Sequence, residues 1–182
     1  MIDYTEARSA IMDGDVLAFR LDRCSPVSQL ISLVTRSRVT HVGFAVWYRN
    51  RLCVLEALEG KGVRLHPLSM LLATGRNVDW YQLEATEIRR RVVLTRAFTH
   101  WGKRYASPLQ FLRSWGVITR ALCNWLRIPI DTNGDRFFCS EFIAHCFGVG
   151  GDEAAKTSPQ DIIERTDLRR RGPLKWTGDT KQ

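Results

Sequence analysis

The 182-residue sequence has little proline and glycine, with 6 and 13 respectively, so it is neither collagenous nor a low-complexity chain. Nowhere do 18 consecutive apolar residues occur, so no segment reads as a membrane-spanning helix. The opening MIDYTEARSAIMDGD carries acids where a secretory leader needs Lys or Arg followed by an apolar stretch, which argues against a signal peptide. The five cysteines, at 24, 53, 123, 139 and 146, are odd in number and include no Cys-x-x-Cys pair. A disulfide framework and a zinc site are therefore not expected, and free thiols in a reducing, cytoplasmic compartment are. There is also no Gly-x-x-x-x-Gly-Lys phosphate loop and no Gly-x-Ser-x-Gly nucleophile elbow. Nothing in the pattern asks for a metal or a cofactor.

What is present suits one globular domain over residues 1–182: 45% hydrophobic and 25% charged residues, in a chain long enough for a single core. Lys and Arg number 27 against 19 Asp and Glu, a net charge of +8. This balance favours an anionic neighbour such as nucleic acid, a membrane surface or a cell-wall polymer, without specifying a fold.

Hydrophobic periodicity divides the chain into elements. A strand is expected over 15–21, and a helix over 26–37 with Val27, Leu30, Ile31 and Val34 on one face. Two β-rich runs, 40–48 and 52–58, flank a polar Arg49-Asn50-Arg51 turn and read as a hairpin. A short helix around 69–73 and a strand over 77–83 follow. From Thr86 the period is helical, with Ile88, Val92, Phe98, Trp101 and Tyr105 sharing a face. A second long helix is expected from Pro108 to about Arg127, striped by Phe111, Leu112, Trp115, Ile118, Leu122 and Trp125. Its Trp stripe reads as core or lid, and alternatively as a membrane contact. A helix beginning near Cys139 and a short one opened by Ser158-Pro159 complete the core, at about 13–165. Residues 170–182 read as a flexible tail.

Two places stand out chemically. Cys139 falls in the first turn of its helix, where unpaired N–H groups and the helix dipole favour an anion. Such a position activates a thiol when a cation is near and can hold an oxyanion, although a buried cysteine also serves as a small hydrophobe. In the hairpin, a tight turn at Arg49-Asn50 puts Gly43 opposite Glu56 and His41 opposite Leu58. His41, Gly43 and Glu56 then share one face, with Glu56 a diagonal neighbour of His41 and Gly43 leaving room between them. A carboxylate that fixes an imidazole's tautomer is what a thiol–imidazole pair needs. The alternative is a strand-end His and a hairpin Glu that do not meet.

Gly14-Asp15-Val16, Thr35-x-Ser37-x-x-Thr40-His41-Val42-Gly43, Val54-x-Glu56-Ala57, Tyr105 and Phe138-Cys139-Ser140-Glu141-Phe142, in this order, resemble the circularly permuted YiiX/YaeF-like branch of the NlpC-type papain-like cysteine peptidase superfamily. The His strand precedes the Cys helix, as in the permuted branch. The resemblance implies an α+β fold, an antiparallel sheet packed against helices, with residues 108–130 as a helical insertion or lid before the Cys helix. It implies Cys139 as nucleophile, His41 as general base and Glu56 as the residue orienting His41. Tyr105 would line the pocket, with Ser140 and Thr40 as further substrate or oxyanion contacts. The chain departs from the branch after Tyr105, where Ala106 stands in place of the frequent Asp.

The expected activity is cleavage of an amide bond, in a cell-wall peptide or a related small peptide or amide, through an acyl-enzyme. Two other classes stay open: a lipid acylhydrolase or acyltransferase at an anionic membrane surface, and a non-catalytic basic module that binds anionic lipid or nucleic acid. His66, placed in a loop, His100 and His145 read as surface residues. The runs 89–91 and 169–171, three arginines each, are the only candidate phosphate contacts, and no aromatic-plus-basic strand motif accompanies them.

Overall fold

The computed structural model describes residues 1–22, 26–58, 60–105 and 136–177. Its strands are β1 (Ile2–Asp3), β2 (Val16–Arg20), β3 (Val39–Tyr48), β4 (Arg51–Leu58), β5 (Gly62–Pro67), β6 (Val78–Leu83), β7 (Arg104–Tyr105), β8 (Arg136–Phe137) and β9 (Leu168–Lys175). The helices are α1 (Tyr4–Ala7), α2 (Pro26–Thr35), α3 (Leu68–Ala73), α4 (Glu87–Thr99), α5 (Cys139–Cys146), α6 (Gly151–Lys156) and α7 (Pro159–Ile163). Seven strands form one sheet in the order β1-β9-β6-β2-β3-β4-β5, antiparallel except where β1 joins β9. β7 and β8 pair separately and in parallel. This is the α+β arrangement expected, a mainly antiparallel sheet packed against helices.

The centre of the sheet is apolar on both faces, because both are covered. Val16, Ala18, Val42, Phe44 and Leu55 pack under Phe142 and Ile143 of α5 and under Val93 and Ala97 of α4. Leu17, Phe19, Ala45, Val54 and Trp80 meet Tyr4, Ile11, Leu68 and Leu72 on the other side. Strands buried on two faces read as continuous hydrophobic runs rather than alternating ones, which is why β2 to β4 were conspicuous in the sequence. The β3–β4 hairpin closes at Arg49 and Asn50, both left-handed with φ of 46° and 62°, as a two-residue type I′ loop requires. Its pairs run from Tyr48↔Arg51 to Phe44↔Leu55, the register expected from the sequence.

Several expectations are corrected. The tail expected from residue 170 is instead a strand at its start: Leu168–Lys175 form β9, hydrogen-bonded between β1 and β6. The arginines concealed it, yet Arg170 reaches Asp79 at 3.3 Å and Arg171 lies over the Trp80 ring. The core likewise starts before residue 13, since Tyr4, Ala7 and Ile11 are buried. His66 belongs to β5, opposite Val54 of β4, and not to a loop. α4 turns Arg90, Val93, Leu94 and Ala97 inward and leaves Ile88 and Val92 exposed, a different face from the one expected. His100 caps α4 and is buried, against Phe142 and His145, where a surface position was expected. The helix expected over 108–127 and the lid of 108–130 lie outside the described residues.

The middle arginine of the 89–91 run explains the rotation of α4. Arg90 Nη1 meets the fully buried Asp15 Oδ1 at 2.8 Å and donates to the Asp13 carbonyl at 2.7 Å. Asp15 also accepts from Met12 N, Trp80 Nε1 and Leu83 N. A buried carboxylate with four donors is satisfied, and here it ties α4 to the sheet. Arg89 pairs with Asp167 at 2.7 Å and Arg91 with Glu87, so each arginine of this run has an acidic partner.

Candidate active site

The hairpin presents His41 and Glu56 to each other. Beyond Phe44↔Leu55 the register puts Gly43 next to Glu56, and His41 reaches diagonally so that its Nε2 lies 2.7 Å from Glu56 Oε2. Gly43 is what permits this. A Cβ there would lie 2.5 Å from Val54 Cγ2 and 3.2 Å from Glu56 Cβ, a clash that would force the strands apart. On the other flank β2 pairs Phe19 with His41, and their rings approach to 5.2 Å between centroids. The imidazole is thus held by an apolar plate and a carboxylate.

Cys139 approaches from α5. Phe138, extended at φ −78° and ψ 161°, caps the helix, and its N–H donates to Glu141 Oε2 at 3.2 Å, one half of a capping box. This leaves the thiol in the first turn, 2% exposed, on a helix that packs over β3 and β4. Its sulfur lies near enough to the His41 ring to act on it electrostatically. Glu56 engages Nε2, so carboxylate and thiol both act on this one ring.

The electrostatics follow from this arrangement. Burial pushes the His41 pKa down, but the Cys139 sulfur and the Glu56 carboxylate together outweigh it and raise the ring from 6.5 to about 10. Glu56 is also resisted by burial, yet His41 and Arg64 hold its carboxyl below the usual range. Arg64, which sequence reasoning missed, donates through Nε at 3.1 Å and Nη2 at 2.9 Å to Glu56 Oε1. The only signal for it was the short Gly62-Val63-Arg64-Leu65 alternation, which would have placed Arg64 beside Glu56 had it been read as a strand.

The other candidates lie as follows. Ser140 is 1% exposed in the first turn of α5, beside Cys139. Tyr105 lies in β7 and pairs with Phe137 two residues before Cys139, so the backbone brings it to the same corner. Thr40 is buried and its hydroxyl shares a 2.8 Å hydrogen bond with Ser28 Oγ, joining α2 to β3. His145 is exposed on α5, away from Cys139. Among the described residues no three His, Cys, Asp or Glu side chains gather to hold a metal ion, and no helix is long and apolar enough to cross a membrane.

A mostly antiparallel sheet whose early strand carries the histidine, joined later in the chain by a helix that opens on the cysteine, defines a permuted papain-like thiol hydrolase. The family model of the permuted papain-like amidases, YaeF/YiiX, C92 family, matches residues 10–111, more than half of the chain, and the protein belongs to this family of cysteine amidases. The matched stretch includes His41, Glu56 and Tyr105 and ends before Cys139. Among solved structures, the Escherichia coli O157:H7 metalloprotein yiiX is similar over 87% of this chain and 95% of its own, at 20% identity and a TM-score of 0.61. That likeness is one of fold. A search of curated proteins gives no match.

Proposed function

We propose that Cys139, His41 and Glu56 act as the catalytic triad of this amidase, and that its substrate is a cell-wall peptide or a related small peptide or amide. The observation that carries the reading is the position of His41, whose Nε2 lies 2.7 Å from Glu56 and whose ring feels the Cys139 sulfur. His41 takes the thiol proton, and the Cys139 thiolate attacks the carbonyl carbon, forming the C–S bond while the C=O π pair moves to oxygen. N–H groups of the first turn of α5 face the resulting oxyanion. Collapse breaks the C–N bond, with the His41 proton passing to the departing amine. A water, deprotonated by His41, then attacks the thioester, and the carboxylic acid leaves as the thiolate re-forms. Glu56 keeps Nε2 protonated so that Nδ1 faces the sulfur throughout.

The net charge of +8 suits approach to an anionic polymer or membrane surface, and draws substrate rather than performing chemistry. The test is direct. Cys139→Ala and His41→Ala are expected to abolish cleavage of a small peptide-amide panel by about 10³-fold or more while melting as the parent does. Retained activity in Cys139→Ala sinks the mechanism.

A further inference from the structure

We infer that Arg64 is a positioning residue of this reaction, acting through Glu56 to set the pH dependence of Cys139 reactivity. The inference rests on the triad reading above and goes beyond it in adding a fourth member on a third strand.

β5 pairs with β4 so that Arg64 stands directly opposite Glu56. Directly opposed side chains share a face and are the closest cross-strand neighbours. The guanidinium places two N–H groups on Oε1 and leaves Oε2 to His41, so the two carboxylate oxygens have separate duties. Glu56 cannot rotate about its last bond without losing both donors. Its side chain is 3% exposed, whereas that of Arg64 is 21% exposed and keeps water on its outer edge. The arginine therefore supplies a permanent charge to a carboxylate that burial alone would neutralise. The titratable and charged groups facing Glu56 are His41 from β3, Arg64 from β5 and, further along β5, His66, with Cys139 of α5 behind His41.

The sign follows. Removing a fixed positive charge raises the pKa of every group near it, and a Glu56 that protonates at higher pH ceases to support the imidazolium. Both effects move the onset of Cys139 reactivity to higher pH. A purely structural arginine would instead reduce reactivity without moving its pH dependence.

The experiment is the pH dependence of iodoacetamide alkylation at Cys139 in the full chain, followed by peptide mass spectrometry, with Cys53 and Cys146 of the same sample as internal standards. Arg64→Met is expected to move the acid limb of Cys139 alkylation up by roughly one pH unit or more. Arg64→Lys, which keeps the charge and loses the fork, should fall between parent and Arg64→Met. In a Glu56→Gln background, Arg64→Met should move the limb distinctly less. An Arg64→Met limb that superimposes on the parent's, or one that changes in amplitude alone, overturns the inference and leaves the triad standing. If the parent's Cys139 reacts no faster than Cys53 and Cys146 at pH 7, the triad reading falls and the inference with it. Should Arg64→Met fail to melt cooperatively, Arg64→Lys decides: a limb displaced towards higher pH supports the inference, an unmoved one overturns it.

Discussion

Two of the buried carboxylates, Asp15 and Glu56, each face an arginine, and they are put to different uses. Asp15 is fully buried and takes four donors, from Met12, Trp80, Leu83 and Arg90, which leaves neither oxygen free for a moving proton. Glu56 is almost as buried, but Arg64 occupies one oxygen and an imidazole the other. That imidazole also feels a thiol sulfur, that of Cys139. Pairing a buried acid with an arginine is thus not in itself a sign of chemistry. The difference lies in whether the chain of hydrogen bonds ends in the backbone or continues to a group that can gain and lose a proton.

The sharpest way to break this contrast is to neutralise each acid in turn. Asp15→Asn removes the counter-charge of a guanidinium whose side chain is 7% exposed, and should cost about 3–5 kcal/mol of stability, the range for an orphaned buried ion. Turnover per folded molecule should hardly change. Glu56→Gln should do the reverse, lowering turnover about 10²- to 10⁴-fold, the span of general acid–base contributions, with a much smaller shift in melting because Arg64 retains water. Thermal melts and turnover on the same two preparations decide. Equal losses of both quantities in both variants would erase the distinction.

A smaller effect sharpens it. His41 is raised from 6.5 to about 10, so its stabilisation is complete below pH 6.5 and is lost as pH climbs through its folded-state value. Glu56 is lowered from 4.5, so its stabilisation is present above pH 4.5 and lost as pH falls through its depressed value. Both are complete only between these limits. His66 and His100, by contrast, are pushed below 6.5, chiefly by burial. Ring titrations by NMR should therefore separate His41 above from the other two below. In Cys139→Ala the His41 titration should fall, because its strongest upward influence is gone. A His41 ring titrating near 6.5 in the parent would contradict its pairing with Cys139 and Glu56.

How much of this the sequence disclosed depended on how local the cause was. The hairpin and its register were legible, because apolar β-rich runs flank a two-residue turn and alternation then dictates which side chains share a face. The first turn of α5 was legible from its i, i+3, i+4, i+7 pattern. The partners that come from elsewhere were not. Arg90 read as one of three arginines available to a phosphate until Asp15, 75 residues away, accounted for it. Arg64 stayed hidden because β5 is short and ends at Pro67, and β9 because its arginines resemble a tail. In each case a partner on another element had drawn a charged side chain against the sheet. Ile88 and Val92 misled for the converse reason: an apolar residue on an exposed helix face looks from sequence like core.

Each carboxylate also has a glycine beside it, and the two glycines divide in the same manner. Gly14, adjoining Asp15, has a φ of +84° with ordinary van der Waals space around it, the nearest atom to an added Cβ being 3.7 Å away. What it supplies is a left-handed backbone, and Gly14→Ala should cost about 1–2 kcal/mol for that conformation. Gly43 has an unexceptional φ but no space, since a Cβ would press on Val54, on the Leu55 carbonyl and on Glu56. Gly43→Ala should cost about 1–3 kcal/mol through overpacking. The costs overlap, so stability does not tell the two apart, and activity should. Relief of the Gly43 clash must move Val54 or Glu56, and a moved Glu56 no longer meets His41 at 2.7 Å. Turnover per folded molecule is therefore expected to fall at least about tenfold in Gly43→Ala, as misplacement of a catalytic contact does, and to stay at the parent's value in Gly14→Ala. If both variants melt early yet turn over normally, the spacing between β3 and β4 matters to the fold and not to the chemistry, and the hairpin loses its claim to position the site.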